Sequence, residues 1–304
     1  MDLLDTCRQA YESANLRVFT IAGKNPHVRR TLRLLSRRPL PLTATWETLH
    51  DELQCWREIG RSAEFWWRDD DATALSPRLQ RLLTLRRNYS IALGLAVIPA
   101  QVTTELAHFL SSEDDVFVMQ HGWQHTNYAR PGLPMQELDA GRPVVAVLAD
   151  LMRGHSVLDD MFEDAWLRVV VPPYHAISHA VAAALPDAGY LGLSTFGFRK
   201  ARVTGLTEVN THVDIIDWTT NGAADEKYVL GRAVAHLRAK RMGLMDPDEP
   251  TGLLSHHLEH DDAAWRMLEM ILARLSAHPA VRFTHPQRIF AERKVSATKE
   301  RVVS

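Results

Sequence analysis

The chain has 304 residues, 46% of them hydrophobic and 24% charged, with a formal net charge of -2. That length suffices for one large α/β domain or two ordinary ones, and the near-neutral balance excludes the Lys/Arg excess on which nucleic-acid binding rests. The two cysteines, Cys7 and Cys55, form neither a CxxC pair nor a framework, so a disulfide scaffold and a thiolate metal site are excluded as well.

In chain order, residues 1 to about 60 read as a helical extension that ends in "WETLHDELQCWREIG" and packs against the main body. Its start lacks a basic segment followed by a sustained apolar run, and no stretch reaches about 18 apolar residues, so no membrane span is expected and cytoplasmic residence is the default. In "RRTLRLLSRRP" a helix would put Arg30, Arg33 and Arg37 on one side and Leu32 and Leu35 on the other. That pattern predicts a buried leucine face with solvated arginines, not a nucleic-acid patch.

From residue 61 to about 294, short apolar runs alternate with helical patterns. The strand candidates are "SAEFWWR", "YSIALGLAVI", "DVFVMQ", "LRVVV", "YLGLST", "HVDII", "GLLSH" and a weaker "AVRFT". Between them lie helical stretches such as "SPRLQRLLTLRR", "AQVTTELAHFLSS", "GRPVVAVLADLMRGHSVLDDMF", "AISHAVAAALPDAG" and "EKYVLGRAVAHLRAKR". Strands separated by helices predict a parallel sheet, and this length favours a closed or distorted β/α barrel over an open doubly wound sheet. Nowhere are two glycines separated by a single residue, so the GxGxxG fingerprint of a dinucleotide fold is absent. Residues 295–304 read as a polar, frayed tail.

In a β/α barrel the loops after the strands gather on one face, where catalytic groups collect. Asp69, Asp70 and Asp71 follow the first strand here, His121 and His125 of "QHGWQH" the third, and "PPYH" (172–175) the fourth. Asp214 and Trp218 of "DIIDW" fall on and after the sixth strand, and His256 and His257 close the seventh. Two histidines separated by three residues can converge on one ion, and a carboxylate from another strand end makes a two-His, one-carboxylate set with open positions. A divalent cation would neutralise one aspartate and leave its neighbour to take a proton from water. Ser76 already supplies a cap for the helix that follows, so the aspartates are not needed for that purpose.

Together these motifs resemble, in order, those of the polysaccharide deacetylase (NodB homology) family of metal-dependent carbohydrate esterases, over residues 63 to 285. The paired-aspartate motif is similar to "RDDD", and HxxxH matches "HGWQH". The proline motif resembles "VPPY", DxxxW matches Asp214 through Trp218, and LxH matches Leu254 through His256. The resemblance implies a distorted (β/α)7 barrel and a divalent metal held by Asp-His-His: zinc above all, with cobalt, nickel or iron as alternatives. It implies His121 and His125 as ligands and a base–ligand pair that is either Asp69 with Asp70 or Asp70 with Asp71. Asp70 as base and Asp71 as ligand is favoured, because family members with arginine here read Arg, one residue, then the pair. In the implied mechanism Asp70 deprotonates water and the backbone N–H of Tyr174 helps to hold the oxyanion. His256 protonates the leaving amine, with its imidazole oriented by Asp214. Trp218, Tyr174, Pro173 and Trp123 would wall the acetyl pocket.

Two departures stand out. The family's proline motif commonly begins with an arginine that tethers the catalytic aspartate, and this chain has Val171 there. Arg68, two residues before Asp70 and on the same side of an extended strand, is placed to substitute. The glycine that often follows the aspartate pair is replaced by Asp71 or Ala72. His257, Glu259 and His260 read as a polar loop, in preference to a second metal site, before a helix capped by Asp261 or Asp262.

The expected activity is removal of an N-acetyl group from a small saccharide or glycoconjugate in the cytoplasm. The alternatives are hydrolysis of a non-sugar amide by the same site and a catalytically silent binding protein. Substrate identity and oligomeric state are not legible.

Overall fold

The computed structural model describes residues 43–139, 141–199 and 203–290. The strands are β1 (Ala63–Ala72), β2 (Leu93–Val97), β3 (Val116–His121), β4 (Trp166–Val171), β5 (Gly192–Leu193), β6 (Thr207–Glu208), β7 (Val213–Asp214), β8 (Ile216–Asp217), β9 (Gly222–Ala223), β10 (Thr251–Ser255) and β11 (Val281–Phe283). The helices are α1 (Trp46–Glu58), α2 (Pro77–Tyr89), α3 (Thr104–Leu110), α4 (Val144–Phe162), α5 (His179–Ala184), α6 (Glu226–Arg241), α7 (Asp262–Ser276) and α8 (Pro286–Phe290).

A parallel sheet runs in the order β6-β5-β4-β3-β2-β1-β10-β7, with β11 beside the start of β1. β6 and β7 belong to one extended stretch. Thr207 and Glu208 pair with β5, Thr211 bridges Phe196, and Val213 and Asp214 pair with β10. This single segment therefore joins the two sheet edges, and the result is the distorted (β/α)7 barrel expected from the sequence. Each of the eight apolar runs contains a strand. β6 and the antiparallel β8–β9 hairpin were not anticipated.

The strands alternate between two apolar layers. Trp66, Ala96, Met119, Val169 and Val171 point into the barrel, and Phe290 of α8 packs edge-on against Trp66 to plug its base. Phe65, Trp67, Leu93, Leu95, Val118, Val170 and Leu253 face the helices. Burial on both faces is why these strands read as near-continuous apolar runs. Each large side chain so buried is worth about 1.5–3 kcal/mol against leaving it in water.

Helix starts follow from single capping side chains. Thr45, Ser76, Thr103, Ser178, Asp225 and Asp261 each accept a backbone N–H from the first turn of their helix. Ser76 and Asp261 thus cap as expected. α1 is tied to α6 by the buried carboxylate of Glu52, which accepts from Arg238 (3.1 Å) and Arg241 (2.7 Å). The rest of the expected helical extension, the arginine run from Arg29 and the polar tail lie outside the described residues. Among the described residues no helix is long and apolar enough to cross a membrane.

Candidate active site

The three consecutive aspartates have three different partners, and strand geometry explains the division. On β1, Arg68 and Asp70 point into the barrel while Trp67 and Asp69 point outward. Asp69 is fully buried there. It accepts from Ser255 Oγ (2.6 Å) and the His257 backbone N–H (3.0 Å), and its Oδ1 lies 2.5 Å from His257 Nδ1. Trp67 Nε1 donates to the same serine (2.9 Å). Asp69 and His257 thus lock β1 to β10.

Asp70 receives a bidentate pair from Arg68, Nε to Oδ1 at 2.8 Å and Nη2 to Oδ2 at 2.9 Å, with both side chains fully buried. Arg68 also reaches across the barrel to the end of β5, donating to Ser194 Oγ (2.6 Å) and to the carbonyls of Ser194 and Thr195. Burial alone would raise the Asp70 pKa, but Arg68 and two imidazoles outweigh it and hold the carboxyl below its usual range.

Simple alternation would put Asp71 on the outer face with Asp69. A β-bulge between Asp69 and Ala72 and a positive φ of 71° at Asp71 turn it inward instead. Its Oδ1 lies 3.0 Å from His121 Nε2 and 3.3 Å from His125 Nε2. The same oxygen is buried without a hydrogen-bond donor. His121 Nδ1 faces the Val171 carbonyl at 3.0 Å. A carbonyl can only accept, so Nδ1 carries a proton, and in its neutral form His121 directs the Nε2 lone pair at Asp71. Asp71 and Asp70 raise the His121 pKa and favour a second proton on Nε2, and a divalent cation takes that proton's place while satisfying Asp71 and both imidazoles at once. The donor set therefore fits a metal.

The HGWQH loop is wrapped round a residue that sequence reasoning missed. Glu137 is buried, and its carboxylate accepts the backbone N–H groups of Trp123 (3.3 Å), Gln124 (2.9 Å) and His125 (3.2 Å). Gly122 adopts φ 59°, and a Cβ there would stand 2.1 Å from Glu137 Oε2 and 2.6 Å from Pro173 Cγ. Glycine is thus required on both counts. The Tyr174 hydroxyl donates to the His125 carbonyl (3.0 Å), and the Tyr174 backbone turns through φ 57°. The indole of Trp123, expected to wall a pocket, has the Arg153 guanidinium of α4 over its ring at 5.8 Å.

On the opposite side stands His256, with Nε2 4.0 Å from Asp70 Oδ2 and Nδ1 3.9 Å from Asp214 Oδ1. Asp214 accepts from the Ile216 N–H and from Trp218 Nε1, both at 2.9 Å, and burial raises its pKa. Trp218 meets the His256 ring edge-on at 4.6 Å, and the residue is 48% exposed, which leaves room for a ligand. The sequence-expected residues Arg68, Asp70, Asp71, His121, His125, Tyr174, Asp214, Trp218 and His256 are therefore gathered at the carboxyl end of the barrel.

Solved structures share this arrangement of strands and helices. A Mycobacterium smegmatis protein described as a polysaccharide deacetylase superposes with a TM-score of 0.51 at 15% identity, over 73% of this chain and 86% of that one. The fold is that of the polysaccharide deacetylases. The peptidoglycan N-acetylglucosamine deacetylase Bc1960 gives 0.50 at 13% identity, over 77% of this chain and 95% of its own. A mutant of BA3943, a CE4 family pseudoenzyme with restored enzymatic activity, gives 0.50 at 12%, over 75% and 68%. By sequence, no family model and no curated protein matches.

Within this polysaccharide deacetylase fold, a second group of buried donors, His212, His236 and Glu249, has the ligand types but not the protonation for a metal. His212 Nδ1 accepts the Gly252 N–H (3.0 Å), which puts its proton on Nε2 and removes the lone pair a cation needs there. Burial, reinforced by Lys240, Arg232 and Arg199, holds this imidazole neutral, far below its ordinary pKa. A sequence signal did exist for this group: Tyr228, Arg232, His236 and Lys240 recur every fourth residue, a polar stripe that runs the length of α6. Glu137 had none. The loop of His256 to Asp261 is used structurally, with His260 Nε2 accepting the His256 N–H (3.3 Å).

Proposed function

We propose that the protein is a metal-dependent hydrolase that removes acetyl groups from N-acetylated saccharides. The observation that carries this reading is the convergence of Asp71, His121 and His125 within reach of an Arg68-bound Asp70 on one side and a His256 facing Asp214 on the other. Asp71 Oδ1 and the two Nε2 atoms would hold the cation, with zinc the first choice for a nitrogen- and oxygen-rich set. A divalent cation there supplies Lewis acidity to the acetyl carbonyl and to water.

The remaining work falls to the chain. Asp70, kept ionised by Arg68, takes the proton of the attacking water through the lone pairs its bidentate partner leaves open. The backbone N–H of Tyr174 points its partial positive charge at the developing oxyanion. His256 Nε2 delivers a proton to the departing amine, and the Asp214 carboxylate faces its Nδ1 from 3.9 Å. Trp218 offers its exposed face to the sugar.

Acetate release from a panel of N-acetylated mono- and disaccharides, with zinc- and cobalt-loaded protein beside His256→Ala, tests the reading. Acetate from at least one sugar, lost in the variant, supports it. Release of amine from non-sugar amides alone would move the protein to a different amidohydrolase class.

A further inference from the structure

Three of the buried arginines have a carboxylate partner: Arg68 pairs with Asp70, Arg86 with Glu113 (3.6 Å) and Arg238 with Glu52 (3.1 Å). Arg232 of α6 differs. It is only 9% exposed, its Nε donates to the His212 carbonyl (3.0 Å), and its guanidinium lies over the Phe196 ring at 5.0 Å. The Tyr228 phenol, one helical turn earlier, is its hydrogen-bond partner, and the Asp214 carboxylate favours the cation from beyond ion-pair distance. Burial outweighs both and holds the guanidinium below its ordinary pKa range. Keeping a cation desolvated is unfavourable unless an anion meets it.

Arg232 lines a cavity of about 540 Å³ that shares Asp214 and Trp218 with the candidate active site and also presents Tyr228 and Phe196. Three carboxylates edge the same cavity, and each is engaged locally. Asp214 accepts from Ile216 and Trp218, Asp217 from Thr219, and Asp225 caps α6 through the Tyr228 N–H. They leave the outer nitrogens of Arg232, with the Tyr228 hydroxyl beside them, as a planar donor edge suited to a carboxylate or phosphate.

We propose that this cavity is an anion subsite, and that the N-acetylated substrate carries a carboxylate or phosphate group bound by Arg232 and Tyr228. This inference rests on the deacetylase reading of the adjoining site. Calorimetric titration of the full chain with N-acetylglucosamine, N-acetylmuramic acid and N-acetylglucosamine 6-phosphate tests it, with Arg232→Gln and Arg232→Lys alongside and folding checked by circular dichroism. In the wild type at least one anionic ligand should bind about tenfold tighter than the neutral sugar, and which one decides between carboxylate and phosphate. That ratio should fall to about one in Arg232→Gln and survive in part in Arg232→Lys. Equal affinity of the wild type for all three ligands, or an unchanged ratio in folded Arg232→Gln, would overturn the proposal. Acetate release measured on the same ligands separates the two readings. Acetate without charge selectivity removes the anion subsite alone, whereas Arg232-dependent selectivity with no acetate from any ligand removes the deacetylase reading and keeps the subsite.

Discussion

Arg68 is the side chain on which the chemistry of this site most depends, because it is the buried counter-charge of Asp70. Truncating it leaves a carboxylate desolvated and unpaired, which costs about 3–5 kcal/mol. Arg68→Ala should therefore lower the urea midpoint. With Arg68 gone, burial dominates and the Asp70 pKa rises, so the acid limb of the pH–rate profile should move to higher pH. A folded variant with an unmoved acid limb would show that Arg68 does not tune the base. Glu137 acts one step further out, through the backbone of the HGWQH loop. Glu137→Gln places an amide NH₂ where an acceptor is needed, and metal affinity measured by chelator competition should fall about 10–100-fold. The pairing of Arg68 was legible because residues two apart share a face of a strand. The choice between Asp69 and Asp71 was not, because the same rule puts both on one face and only the bulge at Asp71 separates them.

Elements were legible in proportion to their length and burial. β1, β2, β3, β4 and β10 are apolar on both faces and declare themselves as runs, while β6, β8 and β9 are two residues each and exist through tertiary pairing. The segment over residues 207–214 closes the barrel although only its second half reads as a strand. Its closure depends on Gly252 in β10, where a Cβ would stand 2.5 Å from Thr211 Cα, 2.6 Å from the Asn210 carbonyl oxygen and 2.6 Å from Trp66 Nε1. Two of these contacts are backbone and cannot swing away. Gly252→Ala should destabilise the protein by about 1–3 kcal/mol in urea unfolding. A stability equal to wild type would mean that the closing segment is not held at this register. α6 read correctly as a helix, yet its stripe of Tyr228, Arg232, His236 and Lys240 had no interpretation until the barrel showed which way it faces.

For the whole molecule, buried neutral imidazoles set the response to acid. Burial lowers His175 to about 3 and His260 to about 4, and takes His212 and His236 well below the ordinary value of 6.5. The unfolded chain takes up these protons as pH falls through 6.5 while the folded chain does not, so stability is full above that pH and is lost below it. Glu249 opposes this over the window from about 7 down to 4.5, because burial raises its pKa and the folded state gains its proton first. Glu137, Asp214 and His121, whose pKa values are also raised, act in the same sense as Glu249, and the four imidazoles should outweigh them, so unfolding free energy at pH 5 should lie at least about 2 kcal/mol below that at pH 7.5. A flat profile would place water or a counter-charge beside these rings. The central claim, that Asp71, His121 and His125 form a metal site, is tested most directly by elemental mass spectrometry of tag-free protein, wild type beside His121→Ala and Asp71→Asn. About one divalent ion per wild-type chain, absent from both variants, is the expected result. A wild-type protein that is free of metal and takes up neither zinc, cobalt nor nickel when they are offered would contradict it.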